Sequence, residues 1–552
     1  MVQNDQVVQR PNTTASTSAS SDTHVHHAES NIARPQPDST QSPSRQIPST
    51  LPQNKVEDST ENSEEDWEID PANARNWSFG KKWTAVAIVS LYTFCSPLAS
   101  SMMAPGLPEV AIRYNITNPT VVALTLSIFL FTFAIGPLVF APLSEMYGRT
   151  WVLHIANIFT MAFSLGCAFS PNTGSLIAFR FLSGLSGSAP IAIGGGSISD
   201  LFAERDRASA MALFTLGPLV GPVVGPIAGG FIAQEIGIKW VFIAIACMCL
   251  RFCFFSGVPF LRETYAPVLR MRRARSADPE KAKETDPLLQ QSQGSLLHVL
   301  WINLERPFIL LFGSLICFML SLYMAFQYGI YYLMFSTFAD FFATTYGFSP
   351  GVGGLAYLGL GVGFFAATIF GAKFADQVYN YLATKNNGVG KPEMRIPALS
   401  FGSLFIPVGL FWYGWSAQAK IHWIMPIIGS GIFGFGMMTT FLPIQLYLVD
   451  TFTYAASALA GASLFRSLLG FAFPLFGAQM FAALGEGGGN SLLAGLAIVL
   501  GIPFPVWLYF KGEEIRARNP LTATSVKKTR PVSAAPSAAE ASKVSHEEKL
   551  TI

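Results

Sequence analysis

The 552-residue chain is 51% hydrophobic and only 13% charged, with a mean hydropathy of +0.39. That balance excludes an ordinary soluble protein of this length. The net charge of +2 argues neither for nor against nucleic acid, and no nucleic-acid partner is expected.

Residues 1–83 are rich in Ser, Thr, Gln, Asn and Pro, with an acidic patch over Glu61–Asp70. Such a composition buries too little apolar surface to order itself and reads as a disordered cytosolic tail. It lacks the apolar core of a cleavable signal, and its His24, His26 and His27 read as incidental. From Trp83 onward, apolar segments of spanning length follow one another with short polar breaks. They predict spans over 84–104, 121–141, 151–169, 175–199, 208–233 and 239–261, then 307–335, 351–372, 396–414, 422–447, 454–480 and 491–510. The fold class is therefore all-α polytopic membrane protein, with six-helix bundles over 84–261 and 307–511. An Arg-rich cytosolic linker covers 262–306 and a second cytosolic tail 512–552.

Basic residues set the orientation. With both ends inside, the inner loops carry fifteen Lys and Arg, from Arg149 to Arg395, while the outer loops carry only Arg113, Lys239 and Lys420. Asn115-Ile116-Thr117, in the first outer loop, matches a glycosylation acceptor. The six cysteines (Cys95, Cys167, Cys247, Cys249, Cys253, Cys317) lie in apolar segments without histidines at metal-ligand spacing. They read as reduced core residues, with no metal or cofactor expected.

The fifth span is unusual. Glycine recurs every fourth residue (Gly217, Gly221, Gly225, Gly229), and proline follows three of these (Pro218, Pro222, Pro226). In water, interior proline costs roughly 3 kcal/mol and glycine about 1 kcal/mol relative to alanine. Inside a bilayer the backbone has no water to turn to, and helix is the default. A glycine at every fourth position makes a smooth stripe for backbone-to-backbone packing, and each proline frees a carbonyl and bends the segment. A closely packed, bent helix is predicted, with its partner across the interface between the bundles. Gly194–Gly196 in the fourth span follow no strand and read as another close helix contact.

A short internal repeat places a small residue and a carboxylate at i, i+4 where the second span of each half ends: Ala141 to Glu145, and Ala372 to Asp376. Around the first copy runs Gly136-Pro-Leu-Val-Phe-Ala-Pro-Leu-Ser-Glu145-Met-Tyr-Gly148-Arg149-Thr150. Together with Arg180-Phe-Leu-Ser-Gly184, the glycine–proline run and Leu261-Arg-Glu263-Thr264-Tyr265-Ala-Pro267, this resembles the major facilitator superfamily over residues 80 to 512. Within it the chain resembles the twelve-span drug:proton antiporters, most of all fungal exporters of drugs, polyamines and secondary metabolites. Against the usual loop pattern Gly-x-x-x-Asp-Arg-x-Gly-Arg-Arg/Lys, Ala141, Glu145, Met146 and Thr150 are departures.

The resemblance implies a monomeric secondary transporter that rocks two bundles about a central cavity and exchanges protons for a small molecule. Arg180, within the fourth span, reads either as a coupling residue or as a hub for backbone carbonyls. Arg466, about twelve residues into span eleven, is weighed in the same way, and Arg251 in span six as structural. Glu145, Arg149, Asp200 and Arg207 are expected to form an inner charge latch. No acid lies in span one, and His154 either titrates or is packed.

In span seven, Tyr323, Phe326, Gln327, Tyr328, Tyr331 and Tyr332 read either as substrate contacts for apolar or cationic molecules or as packing aromatics. Gln445 and Tyr447 in span ten are weaker candidates. No Gly-x-x-x-x-Gly-Lys-Ser/Thr nucleotide site and no catalytic constellation is present, so neither ATP drive nor enzymatic activity is expected. The leading reading is a proton-driven exporter in the plasma membrane, with the vacuolar membrane as alternative address. The alternative function is a facilitator or proton symporter of an organic acid, sugar or polyamine.

Overall fold

In the computed structural model, residues 67–203, 206–277, 296–519 and 521–522 are described. Most of the N-terminal tail, the middle of the linker (278–295) and residues 523–552 lie outside them. Eleven helical stretches are long and apolar enough to cross a membrane. The last of them, Ala455–Arg518, contains two spans, because Gly485 adopts φ 71° and ψ 169° and breaks the helix there. Twelve spans result, and no strand occurs among the described residues.

The first half comprises α1 (Phe79–Ser101), α2 (Pro119–Tyr147), α3 (Arg149–Ala168), α4 (Thr173–Leu201), α5 (Ala208–Ile236) and α6 (Ile238–Phe260). The second comprises α7 (Leu315–Tyr346), α8 (Pro350–Lys385), α9 (Ile396–Gln418), α10 (Ile424–Thr451), α11 (455–484) and α12 (486–518).

Local chemistry places the ends. Asn118 caps α2 through Thr120 N, with proline at the first helical position, and Asn172 and Ser175 form a capping box on α4. Gly148 and Gly237 take φ 98° and 94°, so α2 turns into α3, and α5 into α6, on a single residue. Both α6 and α8 carry a π-helical turn, at Arg251–Gly257 and Ala367–Gly371.

Span seven begins later than the apolar run predicts. Ser314 is extended, and its side chain caps α7 at Cys317 N. The apolar residues before it belong to a separate helix, Leu296–Gly313, whose Pro307 and Leu311 meet Gly461 of α11.

The supposed tails also enter the fold where they are described. Trp67, Asp70 and Asn73 are buried. Trp67 lies under Arg270, and Asp70 pairs with Arg273, both on the helix Ala266–Ala277. Arg516 is buried beyond the predicted end of the second bundle. In each case a buried aromatic or ion pair supplies the order that composition denies. Five cysteines are buried and free, whereas Cys247 is exposed.

The glycine stripe of α5 faces α1, in its own half. A Cβ on Gly217 would lie 2.9 Å from Phe94 N, and one on Gly221 3.0 Å from Leu98 N. One on Gly225 would lie 3.0 Å from the Leu98 carbonyl, and one on Gly229 would run into the Met102 carbonyl. The predicted backbone-to-backbone packing is present, but the partner across the bundle interface belongs to another face of α5. There Gly230, Pro226 and Val223 meet Pro350, Gly354 and Gly361 of α8. Despite Pro218, Pro222 and Pro226, α5 stays one helix.

Candidate functional site: a central aromatic–arginine cluster and two inner charge networks

Helical periodicity brings the span-seven aromatics together at mid-membrane. Ring centroids lie 5.8 Å apart for Tyr328 and Tyr331, and 5.0 Å for Tyr328 and Tyr332. Tyr331 continues onto Phe335 (4.7 Å) and Phe364 (5.5 Å). From α11, Arg466 lays its guanidinium over Tyr328 at 4.7 Å and over Phe441 of α10 at 5.4 Å. Gln327 is buried, and its Oε1 accepts from the Thr440 hydroxyl at 2.7 Å. Gln445 is partly exposed, a turn or more beyond Thr440 on α10. Tyr323 packs against Gly501, Phe326 against Phe473, and Tyr447 belongs to the inner face described below.

The cluster reaches the first half through one hydrogen bond. Ser100 donates to the Pro97 carbonyl at 2.7 Å, so the Tyr332 hydroxyl, 3.0 Å from Ser100 Oγ, is the donor between them. One step further lies Arg180, 1% exposed. It donates to the carbonyls of Ala99 (3.0 Å), Ser100 (3.2 Å), Thr125 (3.3 Å) and Leu126 (3.5 Å), and lies over Phe129 at 4.8 Å. Of its two readings, the geometry displays the carbonyl hub, which joins α1, α2 and α4. Backbone dipoles rather than a carboxylate offset its charge, as desolvation requires of a buried guanidinium.

At the end of the first half where α2 meets α3 and α4 ends, Arg149 Nε binds Asp200 Oδ2 at 2.7 Å and Thr264 donates to the same oxygen at 3.3 Å. The Arg149 guanidinium also covers Tyr265 at 4.8 Å. Glu263 organises the corner. Its Oε1 accepts the backbone N–H groups of Arg149, Thr264 and Tyr265, and its Oε2 that of Thr150. Gly148 and Gly196 leave room for Glu263 and for the Arg149 guanidinium, Gly194 leaves room for Phe214 of α5 and Val89 of α1, and Gly195 has open space beside it.

Glu145 is exposed and makes no ion pair among the described residues, so it is not brought into the predicted latch here. Glu263 stands in the motif after span six, but its role here, accepting four backbone N–H groups, is one that spacing does not show.

The second half repeats this plan. Arg395 Nε binds Asp450 Oδ2 at 2.6 Å and covers Tyr379 at 4.5 Å. Beside it, Glu393 takes two hydrogen bonds from Arg516, at 2.8 and 3.0 Å, and one from Tyr447 at 3.5 Å. The matching ends of α3/α4 and α9/α10 therefore carry the repeat. Asp376, predicted to mirror Glu145, is exposed inside α8, which continues to Lys385.

At the opposite end the halves touch. Gly351 N donates to Gln234 Oε1 at 3.1 Å, and Gln479 Nε2 to Thr120 Oγ1 at 2.7 Å. The outer end is closed by these contacts and by α5 on α8, while each inner network is satisfied within its own half. His154 is buried, with its Nδ1 3.2 Å from the Tyr92 hydroxyl, which is the packed arrangement. Arg251 opens the π turn of α6 and is exposed. Asn115 is exposed at φ 53°.

Comparison with known proteins agrees with this architecture. The family model described as Major Facilitator Superfamily matches residues 89–474. The chain is 44% identical to the MFS-type transporter penM of Penicillium rubens, covering 82% of this chain and 89% of that protein. It is also 44% identical to the efflux pump vrtL of Penicillium aethiopicum, with the same coverage. With the efflux pump radE of Floropilus chiversii it shares 42% identity, over 82% of this chain and 84% of the relative. Among solved structures it is similar to the partially occluded, inward-open xylose transporter XylE of E. coli. That match has a TM-score of 0.57 at 13% identity, covering 78% of this chain and 98% of that one, and speaks to the fold alone. The chain belongs to the major facilitator superfamily of multi-pass membrane transporters, among its fungal efflux-type members.

Proposed function

We propose that this protein exports small, largely apolar organic molecules by proton antiport, through alternating access of its two halves, and that it works in the plasma membrane. The observation that carries the reading is the unequal packing of the two halves. They are held together at the outer end by α5 on α8 and by two hydrogen bonds between side chains or side chain and backbone. The charge networks at the inner end are each complete within one half. Such an arrangement lets the halves rock without breaking an ion pair in either. Relatives named as efflux pumps support the direction of transport.

In this reading the α7–α10–α11 cluster is the substrate site. Arg180 couples it to α1. The Arg149–Asp200 pair is already made with the outer end closed, and the latch is Glu145, exposed in this state, joining that pair when the inner end closes. The polar path from Arg466 through Tyr328, Tyr332 and Ser100 to Arg180 gives protonation and substrate a shared set of neighbours. Uptake into everted vesicles under an imposed pH gradient tests it: transport that requires the gradient supports antiport, and transport that ignores it removes antiport.

A further inference from the structure

The central cluster has a chemical bias that neither fold nor family dictates. Three of its buried polar groups, Arg466 Nε, Gln327 Nε2 and the Tyr331 hydroxyl, have no hydrogen-bond partner among the described residues. Gln327 and Tyr331 are only 2% and 3% exposed, so water does not readily satisfy them. All three can donate, and two of them can do nothing else. A buried donor left unmatched is costly, because it has given up its water without gaining a partner.

Charge points the same way. Arg180 and Arg466 are the cations of this region, and only Arg180 is solvated by carbonyls. Arg466 rests on two aromatic faces, with no ion pair among the described residues. Asp340 of α7 and Asp450 of α10 lie toward helix ends, as does Asp200 of α4, and α11 carries no acid. Asp200 and Asp450 are moreover bound to Arg149 and Arg395.

We infer that the central site takes molecules carrying an anion or a dense set of hydrogen-bond acceptors on an aromatic or otherwise flat apolar body. Arg466 receives the anion, Gln327 and Tyr331 donate to neighbouring acceptors, and the flat body lies against Tyr332, beside the Tyr328 and Phe441 rings that Arg466 covers. The inference rests on the reading of this cluster as the substrate site. It replaces the cation preference that aromatics alone imply: the cation–π positions at Tyr328 and Phe441 are already filled by Arg466. A cationic substrate would meet a like charge in a low-dielectric setting.

The test is equilibrium binding to the full chain in nanodiscs, read by fluorescence anisotropy. Three probes share one ring system: anthracene-2-sulfonate, anthracene-2-sulfonamide and 2-anthryltrimethylammonium. The sulfonate is expected to bind at least tenfold more tightly than the ammonium probe. Arg466→Gln is expected to bring sulfonate and sulfonamide within about twofold of each other, and Arg466→Lys to keep part of the difference.

A tighter ammonium probe, equal binding of sulfonate and ammonium, or binding of none of the three overturns the inference. So does an Arg466→Gln protein that retains the wild-type ratio. If that variant does not fold, the wild-type ratio alone decides. Binding needs no gradient, so a charge preference without gradient-driven transport removes the antiport reading and leaves this one standing. Gradient-driven transport of the ammonium probe alone does the reverse.

Discussion

Rocking of the halves makes one glycine on α8 more informative than those of the α5 stripe. In Gly354→Ala, the new methyl would sit 2.5 Å from the Pro226 carbonyl oxygen and 3.2 Å from its carbon, inside the ordinary contact distance of about 3.5–4.0 Å. Overpacking of this kind costs about 1–3 kcal/mol. The contact joins the two halves, so the cost falls only on the outer-closed state and shifts the equilibrium toward outer-open by about 5- to 150-fold.

Gly221→Ala is the control. Its methyl would lie 3.0 Å from Leu98 N and from the Phe94 carbonyl, within one half, so both states pay alike. Stability then falls by a few degrees of Tm while the equilibrium stays put. The readout is labelling of Thr120→Cys, in a background without the six native cysteines, by an impermeant maleimide; Thr120 faces Gln479 across the closed end. Gly354→Ala should raise the labelling rate fivefold or more, and Gly221→Ala should leave it within twofold. An unchanged rate in Gly354→Ala, or an equal rise in Gly221→Ala, would refute rocking along the α5–α8 seam.

Other substitutions probe the remaining parts. Arg516→Ala leaves Glu393 buried without its partner, and should cost about 3–5 kcal/mol, seen as a lower unfolding temperature and earlier proteolysis beyond residue 500. Glu263→Gln weakens the acceptor of four backbone N–H groups and should cost about 2 kcal/mol, with loss of thermal stability exceeding that of Glu145→Ala. Glu145→Ala should slow transport at unchanged surface expression; if rate and expression both hold, Glu145 has no part in a latch. Gly221→Leu, unlike the alanine, pushes a full side chain into the α1 backbone. It should abolish export in protein that still reaches the membrane, and normal efflux would reduce the stripe to ordinary packing.

Much of this architecture is written in one-dimensional patterns. Apolar runs locate the twelve spans, because the bilayer requires both length and hydrophobicity of each. α7 is displaced, where a single serine cap at Ser314 outweighs a continuous apolar run, and α8 runs on well past its apolar run, to Lys385. The α5 stripe announces close packing through glycine spacing, yet spacing is silent on whether α1 or α8 is the neighbour. The α7 aromatics share a face because helical periodicity puts them there.

What spacing does not contain is pairing between distant segments. Glu263 caps the start of α3 from more than a hundred residues away, and Arg516 reaches Glu393 across a similar gap. The unmatched donors of Arg466, Gln327 and Tyr331 are likewise properties of three-dimensional surroundings. Trp67 and Asp70 show the converse: a polar stretch can be ordered by a few anchoring contacts that composition averages away.

The most direct test of proton-driven export uses everted vesicles containing the full chain, acidified inside, with each of the three anthracene probes supplied outside. Antiport predicts that at least one probe accumulates above its external concentration while the gradient lasts, and leaves when a protonophore collapses it. Accumulation of the same size with and without the gradient, or none for any probe that binds, would contradict it.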